Sequence, residues 1–191
     1  LRPKRKAAEV FETLQDLTRI GANVRFYTCD LADPVAIPTI IDKVTNDLGP
    51  IDAVIHGAGV EESRKLQDKD DKAFRRVFDG KALGGLALLN SLSPDTWFLS
   101  MGSVAGRFGN AGQVDYAAAN DALARSCYVR GNAMHVDWTA WDDVGMAVRG
   151  SMRHLLTERG VELLPADAGA DLVVRLLTSR ATGELVVSGN L

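Results

Sequence analysis

The chain has 191 residues, 46% of them hydrophobic, enough to bury one sizeable core and too few for two full domains. Its 22 basic and 25 acidic residues are intermixed along the chain and leave a formal net charge of -3, which speaks against a nucleic-acid surface and against a polybasic membrane anchor. No apolar run approaches the roughly 20 residues of a membrane helix and the first residues are not signal-like, so a cytoplasmic protein is expected; Cys29 and Cys127, far apart and near no histidine cluster, read as reduced, partly buried thiols rather than metal ligands.

"LRPKRKAAEVFETLQDL" opens the chain with an amphipathic helical pattern that Gly21 can stop. "NVRFYTCD", residues 23–30, alternates apolar and polar side chains and is expected as a strand. "DPVAIPTIIDKVTNDLG" follows as a helix, with Asp33 as N-cap and Pro34 at its first position. The pattern then repeats: a buried strand in "IDAVIHGAG", a long helix in "DKDDKAFRRVFDGKALGGLALLNSL", a strand in "TWFLSM", a helix in "DYAAANDALARSCYVRG" and a strand in "AMHVDWTAW". Helices around "SMRHLLTERG" and "DAGADLVVRLLTS" and a closing strand "ELVVSG" complete the series.

Strands alternating with helices over short links imply right-handed crossovers and a doubly wound α/β architecture with a mostly parallel sheet. With no repeat, no low-complexity tract and no long Pro/Gly linker, residues 1–191 read as a single unit. Ligands of such sheets bind at the carboxyl ends of the strands, so Asp30, the "HGAG" turn, Ser103 and the segment after Trp138 should line one crevice.

Tyr116 and Asn120 are four residues apart on the Ala-rich helix and share a face, and Ser103 ends the preceding strand thirteen residues before Tyr116. A hydroxyl and a phenol could thus meet over one carbonyl oxygen, Ser103 donating a hydrogen bond and Tyr116 a proton as negative charge develops. A phenol with a pKa of about 10 is a sluggish acid near neutrality and wants a neighbouring cation; Lys81 is the candidate. Taken singly, Tyr116 could be an anchor at the core edge and Ser103 a turn residue. Their joint placement argues for a site.

"SVAGRFGNAGQVDYAAAN" closely resembles the active-site segment of the short-chain dehydrogenase/reductase superfamily, and specifically of ketoreductase domains from iterative polyketide synthases of the enediyne or polyunsaturated-fatty-acid type. Other members of the superfamily carry Tyr-x-x-x-Lys, whereas here Asn120 stands at the Lys place and Lys81 lies in "KALG" on the preceding helix, the exchange seen in synthase ketoreductases. The resemblance implies that Ser103 and Tyr116 bind and protonate the carbonyl while Lys81 and Asn120 support the proton relay and the nicotinamide ribose. It also implies that Gly57, Ala58 and Gly59 of "HGAG" and Asp30 and Leu31 of "CDLAD" face the cofactor, NADPH. The two glycines could equally permit tight packing, Asp30 could be a cap for the helix that follows, and His56 reads as structural. "AWDDVGMAVRGSMRHLLTERG" is similar to the segment that closes over the substrate, or is an ordinary surface helix and loop.

The function so implied is NADPH-dependent reduction of a β-ketoacyl group on an acyl carrier protein to the β-hydroxyacyl form. Glu61, Glu62 and Ser63 stand where some ketoreductases have Leu-Asp-Asp, and Phe108 where others have Trp, so the handedness of the alcohol is left open. No G-x-G-x-x-G loop occurs. The resemblance therefore places the first strand, the phosphate loop and the second strand before Leu1, in an upstream segment or a separate chain, and the sheet is expected to lack its first two strands within these residues. A non-catalytic structural fragment is one alternative. A free-standing short-chain reductase is another, and it would predict Lys at position 120.

Overall fold

A computed structural model describes residues 3–33, 35–142, 144 and 161–188. Four strands, β1 (Ala53–His56), β2 (Trp97–Met101), β3 (Ala133–Trp138) and β4 (Gly183–Val187), form one parallel sheet in the order β1-β2-β3-β4. The helices are α1 (Pro3–Arg19), α2 (Ala36–Leu48), α3 (Asp71–Phe78), α4 (Gly84–Ser91), α5 (Val104–Phe108), α6 (Val114–Arg130) and α7 (Ala166–Ser179). No helix among the described residues is long and apolar enough to cross a membrane.

Strand β2 reads as a continuous apolar run because both of its faces are covered, as parallel sheets require. On one face Phe98 and Ala133 pack against Leu88 and Leu89 of α4 and Leu123 and Cys127 of α6. On the other, Trp97, Leu99, Met134, Val136 and Trp138 pack against Leu172, Leu176 and Leu177 of α7. Helices thus lie on both faces of the sheet, and the carboxyl ends of all four strands point the same way.

Four expectations need correction. Residues 23–30 form no strand: they run without regular hydrogen bonding, and Phe26 is 59% exposed. Alternation favours an extended backbone, but a strand also needs a partner, and β1 pairs only with β2 in the described sheet. The long helix is interrupted by one π-helical turn, Asp79–Leu83, between α3 and α4. Asp33 does cap, its Oδ1 accepting the Val35 N–H at 2.9 Å, but α2 begins later, at Ala36. The thiols are not alike: Cys29 is exposed, while Cys127 is wholly buried and its pKa is pushed up to about 12 by that burial. Pro34 and the helix expected around "SMRHLLTERG" lie outside the described residues.

Candidate active site

Strand β2 delivers the chain to Gly102, whose N–H donates to the Val136 carbonyl at 2.8 Å, and then to Ser103. Ser103 is the N-cap of α5, its hydroxyl accepting the Ala105 N–H at 3.2 Å, which holds the side chain at the carboxyl end of the sheet. After α5 the chain turns into α6, which buries Tyr116 and Asn120 on its inner face together with Ala119 and Leu123. The small residues of this stretch let the helices approach closely. A Cβ on Gly106 of α5 would fall 2.6 Å from the Asn120 Cβ, so only glycine allows α5 to lie on α6 at that point. Tyr116 packs against Val77 of α3 and Ala105 of α5.

Burial raises the pKa of the Tyr116 phenol above its ordinary value; the nearby Asn120 and Ser103 side chains pull it part of the way back, and the charge of Glu61 adds to the rise. The proton is therefore firmly held in the absence of a reacting group. Asn120 donates its Nδ2–H to the Tyr116 carbonyl at 2.7 Å, and its Oδ1 is buried with no donor among the described residues. Lys81, in the π-helical turn, is buried; its ammonium donates to the Met101 carbonyl at 2.8 Å, and burial pushes its pKa down to about 8. π-helical turns recur at functional sites because the extra residue re-aims side chains. His56 donates from Nε2 to the Lys81 carbonyl at 3.1 Å and stacks on Phe98. Burial, then the Lys81 charge, holds His56 down at about 4, so it is neutral and serves as a strut.

Of the residues that the resemblance gives to the cofactor, Gly57, Ala58 and Gly59 follow the end of β1, and Asp30 and Leu31 precede α2. Gly57, Ala58 and Gly59 are exposed, and a Cβ at Gly59 would come within 3.5 Å of Lys81 Cδ and 3.7 Å of its Nζ. A cavity of about 400 Å³ is lined by Asp30, Gly59, Arg75, Arg76, Asp79 and Gly80, among others. Asp30 uses Oδ1 to accept the Ala32 N–H at 2.9 Å, so it caps a turn at residues 31–32 and not the helix that follows, which starts at Ala36. Leu31 packs its side chain against the core cluster of α2, α4 and α6. The structure thus brings Asp30 and Gly59 to one cavity, and Ser103, Tyr116 and Asn120 to one corner of α5 and α6. Most of "AWDDVGMAVRGSMRHLLTERG" lies outside the described residues; Trp141, within them, bridges to Leu164 and meets Trp138 edge to face.

Two ties beside Tyr116 escape sequence reading. Lys69 forms an ion pair with Asp115 at 2.6 Å, and Gln113 Nε2 donates to Glu61 Oε1 at 3.0 Å. Neither shows in any period of the sequence, because the partners belong to segments 46 and 52 positions apart; the only hint is a carboxylate directly before Tyr116.

A family model described as KR domain matches residues 2–143. The chain belongs to the KR domain family. It is 34% identical over 179 residues to the polyketide synthase GfsA of Streptomyces halstedii, covering 90% of this chain and 2% of that one. It is 27% identical over 188 residues to a polyunsaturated fatty acid synthase from Thraustochytrium sp., covering 95% and 7%. Among solved structures, PlmKR1, the ketoreductase from the first module of phoslactomycin biosynthesis in Streptomyces sp. HK803, superposes with a TM-score of 0.83 at 29% identity, over 93% of this chain and 42% of that one. A ketoreductase domain from the bacillaene assembly line gives 0.80 at 27% identity, over 98% and 47%. This KR domain chain therefore spans a small part of the synthases it matches and less than half of the solved ketoreductases. Its parallel sheet with helices on both faces is the Rossmann-like fold of those domains.

Proposed function

We propose that this KR domain reduces a β-ketoacyl group, carried as a thioester on an acyl carrier protein, to the β-hydroxyacyl form with NADPH as reductant. The observation that supports the reading best is the gathering of Ser103 and Asn120 around the buried phenol of Tyr116. Three features fit a dinucleotide: the cavity beside Asp30 and Gly59, the exposed glycine turn at the end of β1, and, on α6, Asn120 Oδ1, which has no donor among the described residues and is an acceptor suited to a ribose hydroxyl.

When bound, NADPH supplies a hydride to the carbonyl carbon. As the π electrons of the C=O bond move onto oxygen, the Ser103 hydroxyl donates a hydrogen bond to that oxygen and Tyr116 transfers its proton, so ketone, hydride and proton sum to the alcohol. Lys81, with a pKa of about 8, is mostly protonated near pH 7, and in this reading it supports the nicotinamide ribose and the proton relay from its place beside Gly59 and the Met101 carbonyl. The strands that pair with the other edge of β1, and the loop that holds the pyrophosphate, come in this reading from a segment outside these residues.

In the complete protein, Tyr116→Phe is expected to lower NADPH-dependent reduction of a β-ketoacyl thioester at least about a hundredfold, since positioned proton transfer is commonly worth that much. The change in NADPH fluorescence on binding should persist. Turnover within a few fold of the parent would remove Tyr116 as the acid.

A further inference from the structure

Lys69 and Asp115 are 46 positions apart, yet their side chains meet at 2.6 Å with each 1% exposed. Lys69 lies just before α3, and Asp115 is the second residue of α6, directly before Tyr116. Each group has a second tie. The Lys69 ammonium also donates to the Glu62 carbonyl at 2.9 Å, and Asp115 Oδ1 accepts the backbone N–H of Tyr116 itself at 2.9 Å.

The same two segments are laced together twice more. The Arg64 N–H donates to the Gly112 carbonyl at 2.9 Å, and Gln113 links to the Glu61 carboxylate, which also accepts from the Ser63 hydroxyl. A buried ion pair is a poor source of net stability, because desolvation of two charges consumes most of their attraction, and an apolar pair of similar volume commonly does as well. Capping the first turn of α6 would need the carboxylate alone, without a lysine brought from another loop. What the pair adds is geometry: it defines where the first turn of α6 sits relative to residues 61–69.

We infer that Lys69 and Asp115 form a positioning pair, which holds the loop of residues 61–69 against the start of α6 and thereby sets the place of the Tyr116 phenol. The inference rests on the reading of Tyr116 as the proton donor. Neither residue touches the carbonyl; both act through the backbone of Tyr116 and the carbonyl of Glu62.

The test compares the complete parent protein with Lys69→Met, the double variant Lys69→Met/Asp115→Leu, and Asp115→Glu. Thermal unfolding, hydrogen exchange of residues 61–69 and 112–117, and kcat against KM are read for each. Lys69→Met strands a buried carboxylate and is expected to unfold at lower temperature. The double variant is expected to regain the parent's unfolding temperature while exchange in both segments quickens at least about tenfold and kcat falls about tenfold to a hundredfold, because a small misplacement of a proton donor is that costly. KM for NADPH should not move. A double variant with parental exchange and parental kcat would overturn the inference. Should it fail to fold, Asp115→Glu keeps the charge and shifts the carboxylate by one methylene; it is expected to quicken exchange at 112–117 and lower kcat, and no change in either would overturn the inference. Full activity in Tyr116→Phe would instead defeat the catalytic reading and the kcat expectation with it, and the exchange of the two segments separates that failure from this one.

Discussion

The two halves of the candidate site stand at the same end of one sheet and differ in almost everything else. Tyr116 and Asn120 are buried between α3, α5 and α6, whereas Gly57, Ala58 and Gly59 are all exposed at the end of β1. The contrast starts in the strands that lead to them. β2, which ends before Ser103, is flanked by β1 and β3 and covered on both faces, and its Trp97, Phe98 and Leu99 are fully buried. β1, which ends before Gly57, has a strand on one side only among the described residues, and its Ile55 is 48% exposed although "AVIH" is as apolar as "WFLSM". Burial is thus decided by paired neighbours as much as by composition. The half around Tyr116 is held by contacts within these residues, and the turn proposed to face the cofactor is left open.

The largest test of this contrast is a pair of truncations. Leu99→Ala should cost about 2–5 kcal/mol of stability, as deletions in a closed core do, and Ile55→Ala about as much in the complete protein, where the strands proposed above cover β1. Denaturant unfolding of both variants in the complete protein measures the two losses, and a loss below about 1 kcal/mol at Ile55 would mean that β1 stays open and that no such strands cover it.

A pH test probes the buried half. Burial holds Lys81 at about 8, below the ordinary lysine value near 10.4. The unfolded chain therefore binds more protons than the folded one between those values, and stability rises with pH across the window; the cost of burying Lys81 is fully present below pH 8. Against Lys81→Met, the parent should gain up to about 3 kcal/mol in relative stability from pH 8 to pH 10. The raised Tyr116 pKa acts in the opposite direction above pH 10 and drops out of the comparison, being common to both chains. A flat difference across the window would show that Lys81 titrates as if solvated.

Activity should divide along the same line. Ser103→Ala is expected to lower kcat about tenfold to a hundredfold through loss of one hydrogen bond to the developing oxyanion. Asp30→Ala is expected to raise KM for NADPH only a few fold with kcat unchanged, the signature of binding lost equally from ground and transition states. Steady-state kinetics on both variants checks the division, and a kcat defect in Asp30→Ala would blur it.

Much of this was legible in the amino-acid order. The spacing of Tyr116 and Asn120 puts both on the inner face of α6, "TWFLSM" and "AMHVDWTAW" each contain a strand of the sheet, and "ELVVSG" holds all of β4 but its first residue. The resemblance of "SVAGRFGNAGQVDYAAAN" to synthase ketoreductases pointed to the KR domain family that the match over residues 2–143 shows. These features are local: helical and strand periods, caps and glycine stops involve residues within about four positions of one another, and a motif is read from consecutive letters. What depended on tertiary structure is equally specific. Residues 23–30 alternate like a strand and pair with nothing described; the helix through Lys81 contains a π-helical turn; Cys29 and Cys127 have opposite exposures; and Lys69 meets Asp115 across 46 positions. In each case the outcome was set by what lies opposite the residue in space, a hydrogen-bond partner, a counter-charge or a covering helix, and no local period of the chain encodes that.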